Sequence, residues 1–493
     1  MTDKASVFTD PLAGTRAEHL ERARAYHDAQ DPAVVHRKRE RSYFYAQVVK
    51  SLKTCLAWRR KVLDVGSGCG WLAGLLPGMQ FVGVDLSARQ VEFARGRYPE
   101  HTWRVGDAEA VDGLDRDFDA ILLVSSLSEF YDVAAGLRHL RDIANPGTRL
   151  VIFSFSSLYY PVYKALEALG LKRSTRPQNV IQRDDFVNLL AISEWEIVRR
   201  FRRVLLPFYI PLLSFVVNEY LARLPVLRWF CLGEFVICRP LPRGAGTEGE
   251  PSVAIIVPAK NEEGNIPGLI RRIPRLARTQ EVIFVDDQST DATAQRALEG
   301  GNLRDDVQVV AGPGRGKAFA VEAGVRAASA DICIILDADM AVRPEDLRQF
   351  YDLLRWRRCE VVNGTRMVYP HEGDAMRLAN VLGNAAFAKV FSVLLGQRIT
   401  DTLCGTKAFW RKDYLTFLRV REQLGFADRW GDYDLLFGAA AYNLLIRELP
   451  VHYFERIEGV TKMNKRIANG LRMAKVCWFA FVNLKLARRT NLL

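Results

Sequence analysis

No apolar run in this chain is long enough to cross a bilayer. The longest candidate, Val204 to Val217, is broken by Pro207 and Pro211 and falls short of the ~20 residues a spanning helix needs. Residues 1–60 are polar and heavily charged, so no signal peptide is expected there. The eight cysteines contain no Cys-x-x-Cys pair, and several lie in apolar runs. Buried free thiols in a reducing cytosol are therefore expected, not a disulfide framework. The seven histidines show no zinc-ligand spacing. Internal repeats and low-complexity tracts are absent. So are acidic residues from Gly459 to Leu493, where Lys462, Lys465, Arg466, Arg472, Lys475, Lys485, Arg488 and Arg489 are all basic.

The net charge of +12 calls for an anionic partner. No nucleic-acid-binding module is visible, so nucleic acid is not expected. An anionic membrane surface is the expected partner, because Val476, Trp478, Phe479, Phe481 and Leu484 interleave with the basic residues of the tail. The alternative is an ordinary amphipathic helix packed on its own domain. Val204–Val217 follows Arg199-Arg200-Phe201-Arg202-Arg203. It reads either as a segment dipping into a membrane surface or as one buried between the last two strands of its sheet.

What the chain does contain divides into two halves of α/β pattern. Residues 1–242 and 251–493 each suffice for one large core. Between them, 243–250 is Gly-rich and polar, without apolar periodicity, and reads as a linker. Glu18 to Lys53 reads as helix covering the first sheet.

In the first half, Lys61-Val62-Leu63-Asp64-Val65 is a strand running into Gly66-Ser67-Gly68-Cys69-Gly70. Glycines let the backbone reach positive φ and approach a ligand closely, and the helix start that follows offers N–H groups. A second strand ends in Asp85, where a carboxylate can accept ribose hydroxyls. A third ends in Gly106-Asp107-Ala108, and a fourth in Ser125-Ser126. A dinucleotide site wants G-x-G-x-x-G, but Trp71 stands where the last glycine would fall. Asp64 also disfavours a pyrophosphate and suits a cationic ligand. The pattern over roughly 40–240 resembles class I S-adenosylmethionine-dependent methyltransferases, of Rossmann-like fold. That resemblance implies that Asp64, Gly66, Gly68 and Gly70 cradle the methionine part, that Asp85 holds the ribose, and that Asp107 and Ala108 flank the adenine.

In the second half, three apolar strands each deliver polar residues at their carboxyl ends, which builds one crevice. They lead into Pro258-Ala259-Lys260-Asn261-Glu262, Asp286-Asp287-Gln288-Ser289-Thr290-Asp291 and Asp337-Ala338-Asp339. Two carboxylates so close can share a hard cation, Mg²⁺ or Mn²⁺, whose remaining ligands are water and phosphate oxygens. Gly312-Pro-Gly-Arg-Gly-Lys317 is not a nucleotide-triphosphatase loop, since three residues separate its outer glycines and Ala318 replaces Ser/Thr. These motifs, with Gly314–Lys317, Gly364-Thr365-Arg366, Asp401–Gly405 plus Lys407, and Arg456–Lys462, resemble the family-2 glycosyltransferases of GT-A fold. The group in question is that of dolichol-phosphate mannose synthase and bacterial polyprenyl-phosphate transferases. Cys404 and Thr406 depart from its acceptor-side motif.

The resemblance implies a nucleotide-diphosphate sugar donor, a lipid-phosphate or glycolipid acceptor, and inversion at the sugar. Asp337 and Asp339 would hold the metal, and Lys317, Arg366 and Arg456 would neutralise phosphate charge. Pro258, Glu262 and Asp287 would line the nucleoside. If the acceptor is a hydroxyl, Asp432 or Asp434 would take its proton; otherwise these open a helix as an acidic pair. The expectation is a cytoplasmic bifunctional transferase, peripheral to the membrane, that uses S-adenosylmethionine and a divalent metal. The alternatives are a non-catalytic S-adenosylmethionine-binding scaffold in the first half, or a soluble or protein acceptor for the second.

Overall fold

The structure is a computed structural model. It describes residues 16–107, 109, 113–159, 165, 169, 183–224, 226–242, 249–368, 378–424, 432–451, 453–454, 474–479 and 481–482. The chain divides into two compact units, 1–241 and 242–492.

In the first unit three helices, α1 (Arg16–Asp28), α2 (Pro32–Arg41) and α3 (Tyr43–Cys55), precede the sheet. Asp31 caps α2, its carboxylate accepting from the Ala33 amide at 2.9 Å, and Pro32 fits the first helical position. The strands are β1 (Lys61–Val65), β2 (Gln80–Asp85), β3 (Thr102–Val105), β4 (Ala120–Val124), β5 (Arg149–Phe155), β6 (Trp195–Arg203) and β7 (Gly233–Pro240). Their order is β3-β2-β1-β4-β5-β7-β6. β1 to β5 run parallel, whereas β7 is antiparallel to both β5 and β6.

Both faces of this sheet are buried, which is why its strands read as continuous apolar runs. Val62, Leu122 and Val151 face a core with Val48 and Leu52 of α3. Their neighbours Leu63, Ile121 and Ile152 face another with Leu137 and Leu140. Each such side chain contributes about 1.5–3 kcal/mol by leaving water. The strand order reverses between β1 and β4, and the crevice outside their carboxyl ends is where such a sheet takes a ligand.

Burial of Val204–Val217 between the last strands is not what the structure contains. β6 and β7 pair directly, Arg203 opposite Gly233, and residues 204–232 leave the sheet as an excursion. Phe208, Tyr209, Leu212 and Leu213 are exposed on it. The eight cysteines are free and buried, as expected.

The second unit has β8 (Val253–Ala259), β9 (Gln280–Asp286), β10 (Val307–Ala311), β11 (Ile332–Ile335), β12 (Val361–Thr365), β13 (Lys407–Trp410) and β14 (Ile446–Pro450). Their order is β10-β9-β8-β11-β13-β12-β14. β8 to β11 are parallel, and β13 is antiparallel to its neighbours β11 and β12. The carboxyl ends of β8, β9 and β11 therefore share one rim, as a GT-A fold requires. Most of the basic tail lies outside the described residues. Of its described part, Val476 and Cys477 pack into the core of this unit, and Trp478 is exposed. Among the described residues no helix is long and apolar enough to cross a membrane.

Candidate functional site

The turn after β1 is shaped by its glycines. Gly66, Gly68 and Gly70 have φ of 77°, 54° and 70°. A Cβ on Gly66 would lie 2.6 Å from Ser126 Cβ, and one on Gly70 2.7 Å from the Trp103 ring. Side chains there would collide as well as strain the backbone. Asp85, at the end of β2, accepts from the Gly68 amide at 2.7 Å and the Ser87 amide at 2.9 Å. Burial raises its pKa against these two hydrogen bonds.

Asp64 is fully enclosed. Burial, then the nearby Asp85 charge, pushes its carboxyl up to about 7, against the Arg39 guanidinium. Arg39 stands 5.3 Å from the centre of the Trp71 ring and 5.7 Å from that of Tyr45. The hydroxyls of Ser67, Ser125 and Ser126 are buried without a hydrogen-bond partner. Orphaned hydroxyls around a positive-φ glycine cradle and a carboxylate at the β2 end fit a polar, hydroxyl-bearing cationic cofactor such as S-adenosylmethionine.

Helix α1 lies across the ends of β2 to β4. Asp28 accepts from the Ser87 hydroxyl at 2.5 Å, His27 bonds Glu129 at 2.7 Å, and Arg16 pairs with Asp107. Asp107 also caps the turn at Glu109, accepting from its amide at 2.9 Å. Ala108 lies outside the described residues. Arg39 and Glu129 were missed from sequence. Arg39 sits in Arg37-Lys38-Arg39-Glu40-Arg41, where nothing singles one cation out.

In the second unit the turns after β8 and β9 are zipped together. Asn261, at φ 55°, accepts from the Thr290 amide at 2.8 Å, and the Glu262 amide donates to Thr293 at 2.8 Å. The Glu262 carboxylate accepts from Asn265 at 2.8 Å. Pro258 is half-buried at the end of β8. Asp287 is buried and grips the glycine turn, accepting from the Gly314 amide at 2.7 Å and the Gly316 amide at 3.0 Å.

That turn places Lys317 at the first position of helix 317–327. A cation at the positive end of a helix dipole is unfavourable, so its position is not explained by helix stability. Its ammonium meets Asp337 at 2.5 Å, and both groups remain partly exposed. Asp339 accepts from the Ala341 amide at 3.1 Å. Gly405 closes on this pair: a Cβ there would lie 2.0 Å from an Asp337 carboxylate oxygen and 2.4 Å from Lys317 Nζ. A larger residue at 405 would displace these two side-chain ends; glycine lets the 401–405 loop lie against the Asp-x-Asp motif. Among the described residues no group of three or more His, Cys, Asp or Glu could enclose a metal. Two carboxylates alone are a donor set that fits a hard divalent ion whose other ligands are phosphate and water.

Arg366 donates to both oxygens of Asp401, from Nε at 2.7 Å and from a terminal nitrogen at 2.9 Å. Its guanidinium lies 5.0 Å from the Tyr453 ring centre. Burial opposes charge on Asp401, but the Arg366 hydrogen bonds and charge outweigh it and hold the carboxyl below the usual range. A guanidinium has five N–H donors, and two of those on Arg366 are spent on Asp401. Asp432 is the first residue of helix 432–441; Asp434, two residues on, is half-buried. Arg456 lies outside the described residues.

These two sites lie at the carboxyl rims of a Rossmann-like, methyltransferase-like sheet and of a GT-A-like sheet. The model of the family described as "Glycosyl transferase family 2" matches residues 254–417, and that described as "Methyltransferase domain" matches 63–152. A dolichyl-phosphate hexose transferase of Haloferax volcanii is 30% identical over 228 residues, 46% of this chain and 93% of that protein. An undecaprenyl-phosphate 4-deoxy-4-formamido-L-arabinose transferase of Pseudomonas fluorescens is 36% identical over 216 residues, 43% of this chain and 59% of that protein. Of several further curated relatives the chain spans 50–62% of the length. A crystal structure of glucosyl-3-phosphoglycerate synthase from Mycobacterium tuberculosis, in complex with Mn²⁺, UDP and glucosyl-3-phosphoglycerate, is 20% identical with a TM-score of 0.36; the match covers 50% of this chain and 86% of that one. Through its C-terminal half the chain belongs to glycosyl transferase family 2, and its N-terminal half carries a methyltransferase domain.

Proposed function

We propose that the C-terminal half transfers a sugar from a nucleotide-diphosphate sugar to a polyprenyl phosphate, and that the N-terminal half methylates a small molecule or glycan with S-adenosylmethionine. The observation that carries the first reaction is Gly405 closing on Lys317 and Asp337, which brings an acceptor-side loop against the residues suited to the donor diphosphate. The names of the two relatives, one acting on dolichyl phosphate and one on undecaprenyl phosphate, support a lipid-phosphate acceptor.

In this reading Pro258, Glu262 and Asp287 face the nucleoside, while Lys317 and Arg456 meet phosphate charge. Arg366 acts chiefly by fixing the Asp401 loop. Asp337 and Asp339 would hold Mg²⁺ or Mn²⁺, which supplies charge neutralisation on the leaving diphosphate. An acceptor phosphate oxygen attacks the anomeric carbon, the bond to the donor diphosphate breaks on the opposite face, and the configuration inverts. The acceptor is already anionic, so no base is needed; a hydroxyl acceptor would require Asp432 or Asp434. For methyl transfer, Asp64 and the glycine turn face the methionine part and Asp85 the ribose, with Asp107 and Ala108 beside the adenine.

The test is to incubate the full chain with a panel of nucleotide sugars, polyprenyl phosphate and Mg²⁺ or Mn²⁺, and to measure nucleotide diphosphate and glycolipid. Asp339→Ala and, separately, EDTA should each reduce transfer by roughly 10²–10³-fold, with S-adenosylmethionine binding intact. Full transfer in EDTA would refute the metal assignment. Transfer to soluble acceptors alone would refute the lipid one.

A further inference from the structure

The excursion 204–232 has its polarity reversed. On an ordinary surface segment, polar side chains face water and apolar ones face the core. Here Ser214, Asn218 and Glu219 are buried, at 1%, 4% and 5% exposure, while Phe208, Tyr209 and Leu212 are 69%, 70% and 78% exposed. Phe215, Val226 and Trp229 are exposed alongside them.

The inward polar groups satisfy the segment's own backbone. The Ser214 hydroxyl donates to the Phe208 carbonyl at 2.8 Å and accepts from the Ile210 amide at 2.6 Å. The Asn218 side-chain carbonyl accepts from the Leu205 and Leu206 amides at 2.9 and 3.0 Å, and its NH₂ donates to the Leu206 carbonyl at 2.8 Å. Internal satisfaction of backbone polar groups, with apolar side chains outward, is what an apolar outer medium demands. A contiguous exposed apolar patch on a protein in water marks an interaction site.

The charge pattern selects the occupant. Glu219 is the one carboxylate between Val204 and Leu232, and it is turned inward onto Lys50 and Arg223. What remains at the surface is cationic. Arg228 is exposed within the segment. Arg41 is exposed at the end of α2, two residues before Tyr43, whose ring lies 5.6 Å from that of Tyr209. The Arg202 guanidinium stands 5.0 Å from the Trp229 ring centre. Apolar side chains flanked by Tyr, Trp and exposed arginine, with no exposed acid between Val204 and Leu232, complement the headgroup layer of an anionic leaflet.

The location has a consequence. The segment leaves β6 at Arg203 and enters β7 at Gly233, which pairs with Phe155 at the carboxyl end of β5. That is the rim on which the glycine turn after β1 opens.

We propose that residues 204–232 form a membrane-docking surface that inserts into the interfacial layer of an anionic lipid leaflet, with the methyltransferase crevice facing that leaflet. The proposal concerns a surface of the N-terminal unit and stands whether or not either transfer reaction is as assigned.

The test uses the full chain with vesicles of phosphatidylcholine, with or without phosphatidylglycerol. Flotation measures binding, and hydrogen exchange reports on residues 208–230 in the bound protein. Those amides should gain protection on phosphatidylglycerol vesicles. Leu212→Glu/Phe215→Glu changes two exposed positions, so folding is retained. It should weaken binding by about tenfold or more, since withdrawing even one large apolar side chain from the interface is worth about a decade. Bound protein whose 208–230 amides exchange as they do in solution would overturn the proposal, because contact would then lie elsewhere. So would full-length protein that ignores both vesicle types. A dimer that the double variant converts to monomer would also overturn it, by assigning the face to a second copy of the chain.

Discussion

Replacing Arg366 with Met tests whether the 401–405 loop is held by charge. Asp401 is wholly buried, and only a tenth of the Arg366 side chain is exposed. Removing the guanidinium leaves Asp401 with the Arg366 and Leu403 amides at 3.1 and 3.0 Å and Asn384 at 3.2 Å, but with no cation. Breaking a buried pair by deleting one partner costs about 3–5 kcal/mol. For a unit of this size that corresponds to a fall in Tm of roughly 6–20 °C, at about 2–4 °C per kcal/mol. Calorimetry of the full chain should show the loss in one transition, assigned to the second unit, with the other unmoved. The pH dependence has a definite sign. The native Asp401 pKa is depressed, so its stabilisation is present above the unfolded carboxylate value of about 3.9 and lost as pH falls through the native one. In the variant the buried carboxyl prefers to be neutral, so the gap between the two proteins should narrow below about pH 5. Arg366→Met/Asp401→Asn should recover part of the loss, because no buried charge is left. A loss under about 1 kcal/mol, the size of an exposed pair, or a gap that does not narrow in acid, would refute the reasoning.

In the first unit, Asp85→Ala should weaken S-adenosylmethionine binding by on the order of 1.5–3 kcal/mol, the worth of a hydrogen bond to a charged group. Titration calorimetry measures it, and tight NADH binding with no response to S-adenosylhomocysteine would restore a dinucleotide reading. Asp64, pushed up to about 7, is neutral in mild acid, so affinity for the cationic cofactor should rise as pH increases through about 7. Asp64→Asn should flatten that profile; a flat wild-type profile would remove the carboxylate from the cofactor's surroundings. For the native fold itself, an acid with a raised pKa makes stability fall between the unfolded value near 3.9 and about 7, and acid should therefore favour this unit. Finally, 1–241 and 242–493 expressed separately should each fold, because each unit holds its own seven-stranded sheet and core; insoluble halves would point to a large shared interface.

Strand ends were legible because both sheets are buried on both faces. An apolar run must stop where it meets solvent, and the polar residue that stops it sits on the carboxyl rim. Val253–Ala259, Gln280–Asp286 and Ile332–Ile335 all follow this rule. The glycines at 66, 68 and 70 were legible for a similar reason, since spacing that tight leaves few backbone solutions other than a positive-φ turn. Partnerships across the sequence were not legible. Arg366 and Asp401 each appear in a motif, but nothing local says that the arginine spends two donors on that carboxylate. Nor does the polar sequence of α1 reveal that Arg16, His27 and Asp28 reach Asp107, Glu129 and Ser87. Such contacts depend on how β2, β3 and β4 are ordered, which no window of sequence contains.

The excursion after β6 shows the same limit in its sharpest form. Apolar composition reports that a segment avoids water; it does not report what replaces the water. Val204–Val217 therefore read equally as core or as membrane-facing. Periodicity narrows the question, because Ser214, Asn218 and Glu219 fall at i, i+4 and i+5 and so define one polar face of a short helix. Whether that face points outward is still not written in the spacing. It is decided by the amides of Leu205, Leu206 and Ile210, whose acceptors are the side chains of Asn218 and Ser214. Once those two side chains turn inward to meet them, Leu212, Leu213, Phe215 and Val216 have no direction left but outward. The backbone's demand for hydrogen bonds, rather than the preference of the side chains, sets the orientation of the patch.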